Sequence, residues 1–302
     1  MNHIPYRGRF APSPTGPLHI GSLIAAMASY LDARSRSGHW LVRMEDLDPP
    51  REMPGAADSI LHTLDRFGFE WDGPVWYQSR RSEVYQAELE RLLAGGQAFH
   101  CGCSRQDILQ DARFGAEGPI YPGTCREGLP SGKRPRAVRL RVADAEIGLQ
   151  DRLQGRICQN LGRELGDFVI RRADGLFAYQ LAVVIDDADQ GITDVVRGSD
   201  LLGSTPRQCW LQTQLGLPRP NYMHVPVAVN AAGDKLSKQT HAPGLEDADP
   251  VEMLWRAAAF LELSPPERLR AASLSSFWDW ALNHWQVDRL RGILTKPAPD
   301  QI

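Results

Sequence analysis

The first fifty residues constrain the fold most strongly, because they predict a strand, a rigid turn, a helix and a second strand in direct succession. Residues 7–11 lead into a turn at 12–17 that contains three prolines and one glycine. Apolar residues then recur at helical spacing over 22–34, where Ser22 is the predicted N-cap. Residues 39–44 have the pattern of a buried strand. A strand–helix–strand unit is typical of a parallel sheet covered by helices, so we expect the α/β class.

After residue 44 the predicted secondary structure changes several times along the chain. Helices are predicted at 54–67 and 82–94, and the apolar runs at 177–185 and 192–196 are typical of central strands. After about residue 240 the chain is helical in pattern, and its tryptophans are predicted to fill a helical core. We therefore predict a catalytic domain in two halves, at 1–98 and 173–240. An insertion at 99–172 separates the halves, and a helical C-terminal subdomain follows at 241–302.

The overall charge excludes a generally basic, nucleic-acid-coating protein, because the formal net charge is −3. Residues 126–172 nevertheless hold 11 basic and 6 acidic residues, a local net charge of +5. This stretch is predicted to be either a surface for a nucleic-acid backbone or a solvated, arginine-rich surface. No apolar run approaches the roughly 18 residues that a membrane span needs, since the run at 181–185 has only five, and the N-terminus lacks the layout of a signal peptide. We therefore expect a cytoplasmic protein without a membrane span.

The turn and helix start at residues 9–22 suit a phosphate group. Gly16 and Gly21 allow a ligand to approach the backbone closely, and His19 can donate a hydrogen bond to a phosphoryl oxygen. The N-terminus of a helix adds free N–H groups and the positive end of the helix dipole. A purely structural turn with a surface histidine explains the same residues equally well.

Lysine is rare in this chain, yet two of its four lysines stand close together. Lys235 and Lys238 enclose Leu236 and Ser237, and Gln239 follows. This spacing suits a loop that closes on charge developing in phosphoryl chemistry, although a solvated loop is the simpler explanation of the pattern alone.

A third stretch, at 43–51, is rich in charge and directly follows the predicted strand at 39–44. Ligands of open α/β sheets bind at the carboxyl ends of the strands, and a carboxylate such as Glu45 can hold an ammonium group there. The alternative is an ordinary charged loop.

Three of the five cysteines form a candidate metal site. Cys101 and Cys103 are separated by one residue, and Cys125 lies in the same stretch of low apolar content. Three thiolates suit tetrahedral Zn²⁺, and an irregular segment of this kind needs a metal or an equivalent cross-link. From the residues alone the fourth ligand stays open between His100 and water. Cys158 and Cys209 are predicted to be core thiols.

Taken in order, these stretches resemble the class I aminoacyl-tRNA synthetases of the glutamyl and glutaminyl branch. Residues 9–16 match the opening of that branch, and 43–51 resemble its R-x-E-D-x-D-x-x-R element. Residues 196–208 resemble its strand, turn and helix before the second signature. The HIGH signature corresponds to His19, Ile20, Gly21 and Ser22, and the KMSKS signature to Lys235, Leu236, Ser237, Lys238 and Gln239. Ser22, Leu236 and Gln239 depart from the signatures.

The resemblance implies a Rossmann-like parallel-sheet catalytic domain with a small zinc-binding insertion and a short helical C-terminal subdomain. It also implies ATP-dependent activation of L-glutamate with Mg²⁺, with His19 and Lys238 as catalytic residues and Gly21 beside them at the ATP. Arg9 and Arg197 would hold the side-chain carboxylate of glutamate, and Glu45 its amino group. The family's remaining glutamate-binding positions correspond to Phe10, Ala11, Pro12, Ser13 and Tyr179. Tyr121 occupies the position of the fourth zinc ligand, with Cys101, Cys103 and Cys125. Without the family, Tyr179 would be interpreted as a core aromatic on a strand.

Only 62 of the 302 residues follow residue 240, where a discriminating glutamyl-tRNA synthetase carries an anticodon-binding region. With Ser22 and the cysteine-bearing insertion, this length resembles the glutamyl-queuosine tRNA(Asp) synthetase family. Its members activate glutamate without tRNA and esterify it to the queuosine base of tRNA(Asp). The expected partners are therefore ATP, L-glutamate and queuosine-bearing tRNA(Asp), with no membrane and no obligate protein partner. The alternatives are a truncated glutamyl-tRNA synthetase, a non-catalytic glutamate- or nucleotide-binding paralogue, and a nucleotidyltransferase that uses no tRNA.

Overall fold

The structure is a computed structural model and describes residues 5–115, 118–230, 232–236 and 243–299. Its strands are β1 (Arg7–Phe10), β2 (His39–Met44), β3 (Trp76–Tyr77), β4 (Ala98–Cys101), β5 (Arg113–Gly115), β6 (Gly118–Ile120), β7 (Ala137–Leu140), β8 (Glu146–Asp151), β9 (Gly155–Asn160), β10 (Phe168–Arg171), β11 (Asp194–Gly198), β12 (Asn221–Val225), β13 (Val227–Val229) and β14 (Thr295–Pro297). Its helices are α1 (Ile20–Arg34), α2 (Ala56–Arg66), α3 (Ser82–Ala94), α4 (Arg105–Asp111), α5 (Leu161–Glu164), α6 (Tyr179–Asp189), α7 (Thr205–Leu215), α8 (Pro250–Phe260) and α9 (Leu274–Asn283).

Parallel strands form the centre of the fold, which confirms the predicted α/β class. β1 pairs in parallel with β2, and β2 pairs in parallel with β3. β11 and β12 form a second parallel pair, and β11 lies next to β1, where the backbone N–H of Thr193 donates to the carbonyl of Arg7 at 2.9 Å. The carboxyl ends of β1, β2 and β11 therefore meet at one edge, where a ligand site is expected.

The stretch predicted as an insertion is built from antiparallel strands. β4, β7 and β10 form one antiparallel sheet, and β5 pairs with β6 as a small hairpin. β8 and β9 form a separate hairpin that joins the parallel pair through β12, at Tyr222 and Asp151. This hairpin reaches from the predicted insertion back to the strands that carry the site.

Helix α1 is almost completely buried, because it contacts β1, β2 and β11 as well as α8 and α9. The predicted helix is confirmed, but the prediction of Ser22 as its N-cap is wrong. The helix begins at Ile20, and the Nδ1 atom of His19 accepts the backbone N–H of Gly21 at 3.1 Å. A histidine ring is an unusual cap, so the N-cap preference for serine favoured the wrong residue.

The predicted strand at 177–185 is also wrong, because this run forms the start of α6. A short continuous apolar run is compatible with either a buried strand or a buried helix. Here α6 is enclosed by α3, α7 and β10, so apolar residues occupy most of its faces. The strand predicted at 192–196 is confirmed as β11, and the helices predicted at 54–67 and 82–94 are confirmed as α2 and α3.

The C-terminal region is helical as predicted, and its tryptophans pack in the core. Trp278 is buried, and its indole N–H donates to the carbonyl of Phe67 at 3.0 Å. Trp255, Trp280 and Trp285 pack against the same core. Strand β14 then pairs with β13, which ties the end of the described chain to the strands beside the site.

Of the two cysteines predicted as core thiols, Cys209 is buried, whereas Cys158 is exposed on β9. In the parts of the chain that the structure describes, no helix is long and apolar enough to cross a membrane.

Candidate active site

A cleft of about 680 Å³ opens at the carboxyl ends of β1, β2 and β11, beside the N-terminus of α1. It brings together most of the residues predicted for the site, although they come from five separate stretches of the sequence. Those that line it are Arg9, Phe10, Ala11, Pro12, Ser13, His19, Gly21, Ser22, Glu45, Tyr179, Arg197, Lys235 and Leu236. Ile20 is buried in the core behind the cleft. Ser237, Lys238 and Gln239 lie outside the described residues.

The N-terminus of α1 faces this cleft with a geometry that suits a phosphate. Because Nδ1 of His19 accepts the Gly21 N–H, the neutral ring carries its proton on Nε2 and can donate from there. A side chain at position 21 would bring a Cβ atom within 3.1 Å of that same Nδ1. Gly16, in the preceding turn, has φ of +138°, a conformation that a residue with a side chain rarely adopts.

The beginning of the second signature lies against the first. The backbone N–H of Leu236 donates to the carbonyl of Ala228 at 2.9 Å, and a Cβ atom at Gly21 would stand 3.7 Å from the carbonyl oxygen of Leu236. The ammonium of Lys235 pairs with the carboxylate of Asp200 at 2.5 Å. The described beginning of the second signature, Lys235 and Leu236, therefore lines the same cleft as the first signature.

Arg197 is buried at one end of the cleft, where only neutral groups accept its hydrogen bonds. Its Nε donates to His224, its Nη1 to the hydroxyl of Tyr179, and its Nη2 to two further acceptors. The acceptors of Nη2 are the hydroxyl of Thr205 and the amide oxygen of Gln208, each at 2.8 Å. Within residues 5–115, 118–230, 232–236 and 243–299, no carboxylate pairs with this guanidinium. A buried cation without a counter-ion favours an anionic ligand.

Arg9 and Arg43 differ from Arg197 because both share the carboxylate of Asp187. Arg9 donates to it through Nε and Nη2, at 3.1 and 3.3 Å, and Arg43 through Nη2 at 2.8 Å. Burial raises the pKa of Asp187, but the two guanidinium groups outweigh it and hold this pKa below its usual value. Arg9 still has its Nη1 without a protein partner in the described chain.

Glu45 lies beside these charges with a side chain that is only 9% exposed. Burial raises its pKa to about 7, even though Arg43 and Arg9 act in the opposite direction. Among the described residues it pairs with Nη2 of Arg43, which is 3.5 Å away and also donates to Asp187. A carboxylate in this position is stabilised by a further cation, such as the ammonium group of an amino acid.

The arginine-rich stretch at 126–172 is largely paired within the chain. Arg126, Arg141, Arg152 and Arg163 each form an ion pair with an acidic side chain. Among the described residues of this stretch, the exposed arginines without an ion pair are Arg134, Arg136 and Arg156. Any contact with a nucleic-acid backbone here therefore depends on few cations.

The three cysteines predicted as metal ligands form a cluster, and their sulfur atoms lie within 4.8 Å of one another. Tetrahedral zinc with bonds of about 2.3 Å to sulfur places two sulfurs about 3.8 Å apart, and Cys103 and Cys125 are 3.6 Å apart. The hydroxyl of Tyr121 lies 3.4 Å from the sulfur of Cys101 and 3.9 Å from that of Cys103. His100 points to the opposite, exposed face of β4 and does not join the cluster.

Several residues that hold the site together were not predicted from the sequence. Asp187 was missed because the stretch before it was assigned to a strand. In a helix, Tyr179, Val183 and Asp187 follow one another at intervals of four and share one face, which is the signal that would have revealed Asp187. Asp151 and His224 carry no such signal, because they reach Arg197 only through the pairing of distant strands.

A family model described as tRNA synthetases class I (E and Q), catalytic domain, matches residues 6–249. Two similar curated proteins both bear the name glutamyl-Q tRNA(Asp) synthetase. The protein from Dechloromonas aromatica is 59% identical over 298 residues, which cover 97% of this chain and 99% of that protein. The protein from Chromobacterium violaceum is 58% identical over 290 residues, which cover 96% of this chain and 97% of that protein.

Among solved structures, a glutamate tRNA ligase from Elizabethkingia meningosepticum in complex with its amino acid has a similar fold. Its TM-score is 0.79 at 25% sequence identity, and the match covers 98% of this chain and 68% of that chain. A glutamate-tRNA synthetase from Elizabethkingia anophelis gives the same TM-score at 24% identity and supports the fold alone.

Proposed function

The chain belongs to the family of class I tRNA synthetases (E and Q), and from this premise we propose that it activates L-glutamate with ATP and transfers it to the queuosine base of tRNA(Asp). The family supports a ligase that forms an aminoacyl adenylate. The names of relatives that are 53–59% identical over nearly the full chain support the queuosine-bearing tRNA as acceptor. ATP and tRNA are both available in the cytoplasm, where we place the reaction.

The observation that carries the choice of glutamate is the buried guanidinium of Arg197, which has only neutral partners in the described chain. The side-chain carboxylate of glutamate supplies the missing anion, and the Nη1 of Arg9 supplies a second donor. Glu45 receives the ammonium group. Phe10, Ala11, Pro12, Ser13 and Tyr179 complete the walls of this pocket.

Activation is the attack of an α-carboxylate oxygen of glutamate on the α-phosphorus of ATP, which forms glutamyl-adenylate and releases pyrophosphate. The chain supplies no nucleophile for this step, so its contribution is to position the reactants and to stabilise developing charge. We assign this stabilisation to the Nε2–H of His19, the N–H groups at the start of α1 and, by its place in the second signature, Lys238. Mg²⁺ enters with ATP and neutralises phosphate charge, and we assign it no ligand from this chain.

The second step joins the activated carboxyl group to a hydroxyl of the queuosine base. The hydroxyl oxygen attacks the carbonyl carbon of glutamyl-adenylate and releases its proton to solvent, and AMP leaves as the new ester forms. The exposed Arg134, Arg136 and Arg156 are candidates for contact with the tRNA backbone.

The cysteine cluster fits a structural zinc ion, because its sulfur atoms are close enough to share one ion and the Tyr121 hydroxyl is close enough to join them. We propose Cys101, Cys103, Cys125 and Tyr121 as its ligands. The zinc would cross-link the segment that contains β4, β5 and β6, and it takes no part in the chemistry at the cleft.

The test of this proposal is ATP–pyrophosphate exchange with each amino acid and without tRNA. Exchange that depends on glutamate and falls strongly in Arg197→Gln supports the proposal, whereas exchange with another amino acid overturns it. The likeness to glutamate tRNA ligases makes charging of tRNA(Glu) at its 3′ end the second candidate. For that candidate, labelled glutamate appears at the 3′ end of the tRNA rather than on the queuosine base.

A further inference from the structure

His224 is the residue directly beside Arg197 on the neighbouring strand. β11 and β12 pair in parallel with Arg197 opposite His224, so both side chains project from the same face of the sheet. The Nε atom of Arg197 donates to the Nε2 atom of His224 at 3.0 Å, and the imidazole is completely buried. A buried imidazole beside a buried guanidinium is stable only if its protonation and its hydrogen bonds suit that neighbour.

The other ring nitrogen is held just as firmly. The Nδ1 atom of His224 lies 2.7 Å from a carboxylate oxygen of Asp151. Asp151 in turn accepts the backbone N–H groups of Leu153 and Gln154, at 2.9 and 2.8 Å, in the turn between β8 and β9. The carboxylate is therefore fixed by the hairpin, and it fixes the ring.

These contacts determine the position of the proton on the ring. A guanidinium can only donate, so Nε2 of His224 must accept and the proton must reside on Nδ1, where it is donated to Asp151. Burial lowers the pKa of His224, and the charge of Arg197 acts in the same direction, against the opposing effect of Asp151. The ring is a neutral acceptor with one defined tautomer.

We propose that His224 is a positioning residue that sets the selectivity of the site for a side-chain carboxylate, an inference that rests on the proposed function. The ring holds Nε of Arg197, while Thr205 and Gln208 hold Nη2, which fixes the plane of the guanidinium. Tyr179 takes one hydrogen of Nη1, which leaves the second for a ligand. Because His224 is neutral, it orients Arg197 without neutralising it, unlike the carboxylate of Asp187 beside Arg9 and Arg43.

Asp151 completes this arrangement from a distance. Its carboxylate does not touch Arg197 in the described chain, but it keeps the imidazole proton on the far nitrogen. The hairpin of β8 and β9 thereby contributes to the amino-acid pocket through a single chain of hydrogen bonds, from the turn to Asp151, to His224 and to Arg197.

Three substitutions at one position separate positioning from a general structural role. In His224→Gln, the amide oxygen can take the place of Nε2 and accept from Arg197. In His224→Asn, the shorter amide can take the place of Nδ1 and keep the contact with Asp151, but it offers Arg197 no acceptor. His224→Met fills the space of the ring with an unbranched chain and lacks a strong acceptor.

The measurement is glutamate-dependent ATP–pyrophosphate exchange, analysed for the KM of glutamate and of ATP separately, with the midpoint of urea unfolding for each variant. We expect the KM of glutamate to rise roughly 10- to 100-fold in His224→Asn and His224→Met, as for the loss of a hydrogen bond to a charged group. His224→Gln should recover most of this loss. The KM of ATP should change by less than about twofold, and the preference for glutamate over glutamine should fall with the affinity for glutamate. His100→Asn, on the exposed face of β4, is the matched control.

The inference is overturned if the glutamine variant behaves like the other two, if the KM values of glutamate and ATP rise together, or if none of the variants changes the KM of glutamate. His224→Met decides the question if His224→Asn does not fold. Titration of the same variants with L-glutamate alone separates this inference from the proposed function. If the wild-type protein binds glutamate but shows no ATP–pyrophosphate exchange, the proposed activity is overturned, and the positioning role of His224 is judged from the binding of glutamate to the variants. If the wild-type protein does not bind glutamate, both the proposed function and this inference are overturned.

Discussion

Asp187, near the end of α6, holds the guanidinium of Arg9 on β1 through two hydrogen bonds of 3.1 and 3.3 Å, although the two residues are 178 positions apart in the chain. Arg43 shares the same carboxylate. This buried carboxylate therefore contacts two cations of the site, of which Arg43 also pairs with Asp186 and Glu45. Arg197 is the buried cation of the site that has no anion in the described chain.

Replacing Asp187 with asparagine should destabilise the protein and weaken the binding of glutamate. The side chain keeps its shape, but two buried guanidinium groups lose their shared anion, which costs about 3–5 kcal/mol for a buried pair. Urea unfolding measures the loss. Asp174→Asn is the matched control, because its ion pair with Arg172 is exposed to solvent and therefore contributes little to stability. Equal stability of the two variants would contradict the role assigned to Asp187.

The affinity for glutamate should fall below about pH 7. Because burial raises the pKa of Glu45 to about 7, this group is protonated in the free protein at lower pH, and an ammonium ligand must expel that proton to bind. The Kd should therefore rise by about tenfold per pH unit well below pH 7, and stay level just above it. Calorimetric titration with L-glutamate between about pH 5.5 and 8 measures this dependence.

Glu45→Gln is the control for that titration, since it cannot ionise. It should bind glutamate weakly, with little dependence on pH over the same range. A wild-type Kd that stays constant from pH 5.5 to 8 would remove Glu45 from the amino-group site.

The purified protein should contain about one zinc ion per chain. Cys101→Ser and Cys125→Ser should lose the metal and loosen the segment around β4, because each removes one of three thiolate ligands. Cys158→Ser should retain it, because Cys158 is exposed on β9 and outside the cluster. Metal analysis by mass spectrometry decides this. Less than a tenth of an equivalent of zinc in the wild type would disprove the site.

Lys238→Ala should lower the rate of glutamate activation by orders of magnitude while barely changing the affinity for glutamate. A lysine that stabilises charge only in the transition state affects kcat rather than binding. ATP–pyrophosphate exchange gives the rate, and titration with glutamate gives the affinity. Lys133→Ala, in the cysteine-bearing segment, is the control. An equal loss of rate and of glutamate affinity would show that Lys238 belongs to the amino-acid pocket instead.

Much of the fold and of the site could be predicted, because their signals are local. The turn at 12–17 and the apolar spacing of α1 identified the first strand–helix–strand unit, and the spacing of Cys101 and Cys103 indicated the cysteine cluster. The prediction for α6 failed because an apolar run with few polar residues has no visible period. Because that run was interpreted as a strand, the helical face that carries Asp187 was not recognised.

Other parts of the site could not be predicted, for a different reason. His224 contacts Arg197 only because β11 and β12 pair in one particular register, and Asp151 contacts His224 only because β8 joins that pair. Register between distant strands is decided by packing of the whole domain rather than by the residues nearby. Capping of α1 by His19 was missed because histidine is an unusual N-cap, although the residue itself was predicted for the site.

The most direct test of the central claim is the destination of labelled glutamate on tRNA. The protein is incubated with ATP, Mg²⁺ and labelled L-glutamate, and with tRNA from cells that make queuosine or from cells that cannot. We predict label only in the first pool, on an anticodon fragment of tRNA(Asp). Equal label at the 3′ ends of tRNA from both pools, or no label in either, would contradict transfer to queuosine.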